Sequence, residues 1–272
     1  MKRAKASGVT LCAVTSVAHE ATIAAMHHSL EQLGFERALF LSDSCPTLGS
    51  DAGIEWRCIA PLTSRNDYSR FVLHELADHI ESDHVLIVQW DGFVRDGQRW
   101  QDAFLDYDYI GAPWPQFCDD NAVGNGGFSL RSRKLLMATK GLAVSHEPED
   151  ISICRTYRRE LELKYGVKFA GMDMAESFSY ERGTSRGVEL GFHGVFNMYA
   201  ELGVDHTGRL LKSLEPGLIA QRESVELLVQ SIRKRDFSVM RLALIHYGTN
   251  SRRFKWLLRG FVWLLSRRLV GS

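Results

Sequence analysis

The stretch that decides the fold is HVLIVQWDGF, residues 84–93, an apolar run over 85–88 that stops at Gln89, Trp90 and Asp91. A short unbroken apolar run reads as a strand buried on both faces. A buried strand ending in Asp is how an α/β enzyme delivers a carboxylate to the mouth of its sheet. Downstream, YDYIGAPWP (107–115) sets Trp114 between two prolines, which suits a rigid aromatic wall. VGNGGFSLRSR (123–133) then gathers Gly124, Gly126 and Gly127 around Asn125. Glycine has no Cβ, so the backbone of such a loop can come close to a ligand.

Upstream, VTLCAVT (9–15) reads as a first strand, followed by a helix over 20–33 with Ile23, Met26, Leu30 and Leu33 at helical spacing and Gly34 as its stop. Strands over 38–41 and 55–59 follow, then a helix over 67–80 carrying Phe71, Leu73, Leu76 and Ile80. Strands alternating with helices imply α/β architecture with a mostly parallel central sheet flanked by helices. The opening MKRAK plus a short apolar run has the outline of a secretory leader. Thr10, Thr15 and Ser16 dilute that run, so a first buried strand is the better reading. No run of about 18 apolar residues marks a spanning helix. Beyond Trp100 the strands shorten, as though a nucleotide-binding half gives way to an acceptor half.

A chain of 272 residues fits one large α/β domain with an appendage, expected as a domain over 1–200 and a C-terminal helical extension over 201–272. Lys+Arg and Asp+Glu both number 33, so no global field points to nucleic acid. Five scattered cysteines without CxxC spacing read as free thiols in a reducing compartment. From Gln221 the chain turns helical and basic. Its last stretch, RRFKWLLRGFVWLLSRRL (252–269), gathers Phe254, Leu257, Leu258, Phe261, Val262, Leu264 and Leu265 on a wide apolar face. Trp256 and Trp263 sit among them, with arginines at both ends. That composition suits a helix lying in a membrane interface, giving a peripheral contact at the cytoplasmic face. The plainer alternative is a C-terminal helix packed on the core.

Two further signals carry chemistry. Glu149 and Asp150 open the segment EDISICRTYR (149–158), where acids also suit the first turn of a helix. GFHG (191–194) brackets His193 with glycines. The order of these signals resembles the GT-A class of nucleotide-sugar glycosyltransferases, most plainly its fringe-like and β-1,3-galactosyltransferase branches. More closely, IVQWDGF, DYIGAPWP, VGNGGFSLRSRKLL, EDISICRTYR and GFHG resemble a bacterial and fungal family known only as glycosyltransferase-like, over roughly 9–197.

The resemblance implies a GT-A-like fold and a sugar transferred from a nucleotide-sugar to a hydroxyl of a glycan or lipid-linked glycan. It puts Asp91 on the metal-touching acid of a DxD motif, with Mn²⁺ or Mg²⁺ as cofactor. His193 falls on a late metal ligand, Gly126 and Gly127 on the Gly-Gly loop, and Glu149 and Asp150 on the acidic pair. Asp150 is the chosen base, which implies inversion. The departure is Gln89, standing where the first acid would be; Gln adds no charge but can hydrogen-bond a ribose hydroxyl.

Residue chemistry fills in the rest. Trp90, Trp114 and Phe128 are candidate walls for sugar, with Trp114, Asn125 and Phe128 assigned to the acceptor. Arg131 is a candidate phosphate partner, with solvated surface charge as the plain alternative. Ser16, Asp43 and Tyr68 stand where donor contacts would fall. A non-catalytic nucleotide- or carbohydrate-binding protein on the same fold is the alternative. A two-metal phosphohydrolase is disfavoured because no second cluster of Asp and His is visible.

Overall fold

A computed structural model of the chain describes residues 3–46, 53–143, 146–215, 218–219 and 221–247. The amphipathic stretch 252–269, read above as a membrane contact, lies outside the described residues. The chain divides into two compact units, 1–197 and 198–272.

The first unit is built on a six-stranded sheet. In chain order its strands are β1 (Val9–Val14), β2 (Arg37–Ser42), β3 (Glu55–Cys58), β4 (His84–Ile87), β5 (Tyr109–Ile110) and β6 (Ser129–Ser132). Across the sheet the order is β3-β2-β1-β4-β6-β5. Neighbours among β1 to β4 run parallel, whereas β6 runs antiparallel to both β4 and β5. Strand order therefore reverses between β1 and β4. The crevice beyond the carboxyl ends of two such strands is where open α/β sheets bind ligands.

The apolar runs of β1, β2 and β4 split by alternation. Leu11, Ala13, Phe40 and Leu86 face one core, whereas Cys12, Leu39, Leu41 and Ile87 face the other. Both cores need a cover. Helix α1 (His19–Gln32) connects β1 to β2 and supplies Ile23 and Met26 to the first. Helix α2 (Arg65–His74) leads from β3 back across to β4 and supplies Phe71 and Val72 to the second. Crossovers of one hand made in opposite directions put their helices on opposite faces.

Some boundaries differ from those predicted. The helix expected over 20–33 ends at Gln32, and Leu33–Gly34 turns extended to pair with Ala4–Lys5. The helix expected through residue 80 stops at His74. A 3₁₀ turn, Leu76–Asp78, follows and lets Leu76, Ala77 and Ile80 fill the same core. α2 starts on a reciprocal cap: Ser64 Oγ accepts from Asp67 N–H, and Asp67 Oδ2 accepts from the Ser64 and Thr63 hydroxyls.

Beyond β6 come α3 (Arg133–Thr139), a short α4 (Glu149–Ile151), a π-helical turn over Ser152–Thr156, α5 (Arg158–Tyr165) and α6 (Met172–Phe178). Two short parallel strands, β7 (Ser179–Tyr180) and β8 (Gly191–Phe192), complete the unit. α7 (Val195–Ser213) carries a non-helical kink at Gly203, whose φ is 72°. In the second unit α8 (Gln221–Arg233) and α9 (Phe237–Tyr247) bury Leu227, Leu228, Val239 and Ala243. Asp236 caps α9, accepting from Ser238 N–H and Val239 N–H, and also holds Tyr199 Oη at 3.0 Å. Among the described residues no helix is long and apolar enough to cross a membrane.

Candidate active site

A cleft of about 320 Å³ opens at the β1/β4 reversal. Val14, Ser16, Leu62, Tyr68, Gln89 and Trp90 are among its lining residues. Ser16 Oγ accepts from Leu62 N–H at 2.9 Å, tying the loop after β1 to the segment before α2. Ala18, with φ of 51°, turns the chain from that loop into α1.

Strand β4 ends four residues before Asp91, not at it. Gln89 and Gly92 exchange backbone hydrogen bonds of 2.9 and 3.1 Å, making a tight turn with Trp90 and Asp91 at its corner. The corner divides two tasks. Trp90 is half-buried and lines the cleft, while Asp91 is buried beside His193, whose Nε2 is 3.5 Å from Asp91 Oδ1. Gln89 joins the two regions: its Nε2 donates to Tyr68 Oη at 3.1 Å and its Oε1 lies 3.3 Å from His193 Nε2. On the far side of the ring, Nδ1 is 3.3 Å from Glu181 Oε1 and 3.2 Å from Asn125 Nδ2. Burial alone would push the imidazole pKa down, but Asp91 and Glu181 outweigh it and hold the ring well above the ordinary histidine range.

The glycine loop sits against this cluster. Asn125 adopts φ of 75°, a left-handed conformation that asparagine tolerates better than most residues. Its Oδ1 accepts from Gly127 N–H at 2.9 Å, and Tyr109 Oη donates to its carbonyl at 3.0 Å. The two following glycines face opposite ways. A Cβ on Gly126 would strike Glu149 Oε1, and one on Gly127 would strike His193 Nε2.

Below the loop, Arg131 is fully buried and donates from Nη2 to both Glu149 oxygens, at 2.9 and 3.0 Å. Asp150, next in sequence, is half-buried and turns its carboxylate to the loop, where Oδ2 accepts from Gly126 N–H at 3.2 Å. Burial raises its pKa above the usual carboxylate range, against hydrogen bonds from Ile151 and Gly126 that lower it.

Asp91, Gly126, Gly127, Asp150 and His193, expected together from sequence, are thus brought together, with Ser16, Tyr68, Gln89 and Trp90 around the adjoining cleft. Other expectations need correction. Arg131 is neither a phosphate partner nor a surface charge: its guanidinium is sealed in the interior by Glu149. Glu149 is committed to the same pair, which leaves Asp150 as the base candidate. Trp114 and Phe128, expected as sugar walls, are core residues packed against Phe117 and Phe178 respectively. Asn125 is a buried loop-former. Asp43 pairs with His19 at 3.5 Å and does not line the cleft. All five cysteines are free, and burial pushes the Cys12 thiol up to about 12. Glu181 was not foreseen. Its signal was faint, a single acid in SYERG (179–183) with no periodic context.

Among the described residues no group of three or more His, Cys, Asp or Glu side chains is arranged to hold a metal. The smaller donor set still fits a hard divalent cation. Asp91 Oδ1 and Gln89 Oε1 lie 3.5 and 3.3 Å from His193 Nε2, separations compatible with three ligands of one ion. Mg²⁺ sites commonly use one or two carboxylates and leave other positions to water and substrate phosphate.

Fold and site together define an α/β protein with a ligand cleft at the reversal point of a mostly parallel sheet and a polar, acid-rich cluster at its inner end. The chain belongs to the family described as Protein of unknown function (DUF5672), whose model matches residues 56–193. That span runs from β3 to His193 and holds the turn, the glycine loop and both acidic groups. No curated protein matches the sequence. Among solved structures, an active-site mutant of LgtC is similar at 14% identity and a TM-score of 0.45, over 80% of this chain and 100% of that one.

Proposed function

We propose that this protein is a nucleotide-sugar-dependent glycosyltransferase that acts on a hydroxyl of a glycan or lipid-linked glycan. The observation that carries this reading is the adjacency of two environments. An apolar, aromatic cleft suited to a flat base leads through Gln89 into a cluster of Asp91, His193 and Asp150 suited to diphosphate and sugar chemistry. Asp91, His193 and Gln89 would hold a divalent cation, which when bound supplies Lewis-acid stabilisation of the departing diphosphate.

Asp150 is the base. It takes the acceptor proton as the hydroxyl oxygen bonds to the anomeric carbon, while the bond to the diphosphate breaks and its electron pair leaves with the phosphate. Such a single displacement inverts the anomeric centre. Its raised pKa makes Asp150 a better base than an exposed carboxylate. The pH profile of kcat/KM should therefore show an acid limb above the ordinary carboxylate range, because Asp150 must be ionised to accept a proton. That limb should vanish in Asp150→Asn.

The neutral Gln89 also favours a second reading, a binding protein without turnover. Calorimetric titration with UDP, GDP, dTDP and CMP, each with and without Mn²⁺, tests the cleft in wild type and Asp91→Ala. Metal-dependent binding of one nucleotide, lost in Asp91→Ala, is the expected result. No binding of any nucleotide overturns the donor assignment. Tight binding with no transfer to any glycan acceptor favours the second reading.

A further inference from the structure

In the second unit, helix α9 has two unlike faces. Val239, Ala243 and His246 are buried, and His246 Nε2 donates to Leu211 O at 2.7 Å, which ties α9 to α7. Phe237, Arg241 and Ile245 follow at steps of four and are all exposed, Phe237 by 74%. Side chains four apart share one face of a helix, so these three form an outward stripe. The turn that leads into it is basic, with Arg233, Lys234 and Arg235 all exposed. Asp236 is the single acid from Leu227 to Tyr247. Its carboxylate is spent on the cap of α9 and on Tyr199, so it does not offset the cations. Helix α8 ends with Arg235 N–H donating to Ile232 O at 3.0 Å and Asp236 N–H donating to Ser231 O at 2.8 Å, the paired bonds of a Schellman closure. Arg235 holds the left-handed position of that closure, with φ of 57°. Glycine is the usual occupant there and the less strained one; an arginine adds a charge in its place.

We propose that the α8–α9 turn and the outward stripe of α9 dock on a lipid bilayer that carries anionic headgroups. Phe237 enters the boundary between headgroups and acyl chains, and Arg233, Lys234, Arg235 and Arg241 meet the lipid phosphates. An acidic protein or a nucleic acid would satisfy the cations but leave Ile245 in water, whereas a bilayer takes both kinds of side chain. This surface is separate in sequence from the stretch 252–269 and does not depend on the glycosyltransferase reading.

The test is flotation of the full chain with vesicles of equal parts phosphatidylglycerol and phosphatidylcholine, against vesicles of phosphatidylcholine alone. Wild type should partition into the anionic vesicles, less so as salt rises, and far more weakly into the neutral ones. Arg233→Gln, Lys234→Gln and Arg235→Gln combined should lower that partitioning by about 100-fold, since each basic residue near such a surface contributes about fivefold. Phe237→Ala should lower it by about 10-fold. Phe237→Trp should add emission that brominated acyl chains quench. All four side chains are exposed, so thermal melts of these variants should match wild type. Wild type that floats with neither vesicle overturns the proposal. So does a triple variant or Phe237→Ala that floats like wild type, which would leave the contact to 252–269. Retention on a single-stranded oligonucleotide without binding to vesicles would assign the surface to nucleic acid instead.

Discussion

On the Gly126 side of the loop, Glu149 meets Arg131; on the Gly127 side, His193 stands between Asp91 and Glu181. The first group is closed: the Arg131 side chain is 0% exposed and the Glu149 side chain 4%, with both carboxylate oxygens satisfied by one guanidinium. The second is more open, with His193 at 16% and Glu181 at 14%, and its ring nitrogens have more candidate partners than a single protonation state can satisfy. Carboxylates neutralised one-for-one hold backbone in place. Those left with a choice of partners are available for chemistry. Glu149 and Asp150 show the division within two adjacent residues, one turned inward to the arginine and the other to the loop.

The largest test of this contrast is Arg131→Met. It strands Glu149 in the interior, and losing one partner of a buried pair costs about 3–5 kcal/mol, read by urea denaturation. A loss below about 1 kcal/mol would mean that the inner pair holds nothing. Next come the two glycines. Gly126→Ala should destabilise by about 1–3 kcal/mol through overpacking against the locked Glu149. Gly127→Ala meets the His193 ring instead and should show chiefly as weaker Mn²⁺ binding. Equal stability losses in both would erase the distinction between the two sides.

Asp150→Asn is a smaller effect with a definite sign. Burial raises the Asp150 pKa, so the folded state favours the protonated acid. Its contribution is fully present below the unfolded carboxyl pKa of about 3.9 and is lost as pH rises through the folded value. The variant should therefore be more stable than wild type at neutral pH and equal to it in acid, measured by denaturation across that range. The smallest effect belongs to Asp43→Asn, expected within about 0.5 kcal/mol and without change in nucleotide affinity, because Asp43 pairs with His19 outside the cleft lining.

The sheet was legible because β1, β2 and β4 each hold an apolar core, Leu11–Val14, Ala38–Leu41 and Val85–Ile87, and buried strands need little else to declare themselves. The grouping of Asp91, the loop around Asn125, Asp150 and His193 was legible through the order of the motifs and the resemblance it carries, since each signal alone suits a turn, a helix start or a lone histidine equally. The inward turn of Arg131 was not. A charged residue in an alternating strand reads as solvent-facing unless its partner is known, and Glu149 is 18 residues away. Trp114 and Phe128 misled for the converse reason: aromatic residues beside glycines suit a pocket wall and a core equally. Glu181 depends on strand pairing between two-residue segments, which leaves no periodic trace.

The π-helical turn over Ser152–Thr156, closed by Tyr157 N–H donating to Ser152 O at 2.8 Å, has a bearing on ancestry. Such a turn holds one residue more than the α-helical turn it replaces. Within the family, chains one residue shorter at this point would carry a continuous helix from Glu149 into α5. The wide turn absorbs the extra residue locally, so the helix beyond it would keep its face relative to Asp150 at either length. Sequences aligned straight through the turn, without a one-residue gap, would therefore pair residues that do not share a place in space.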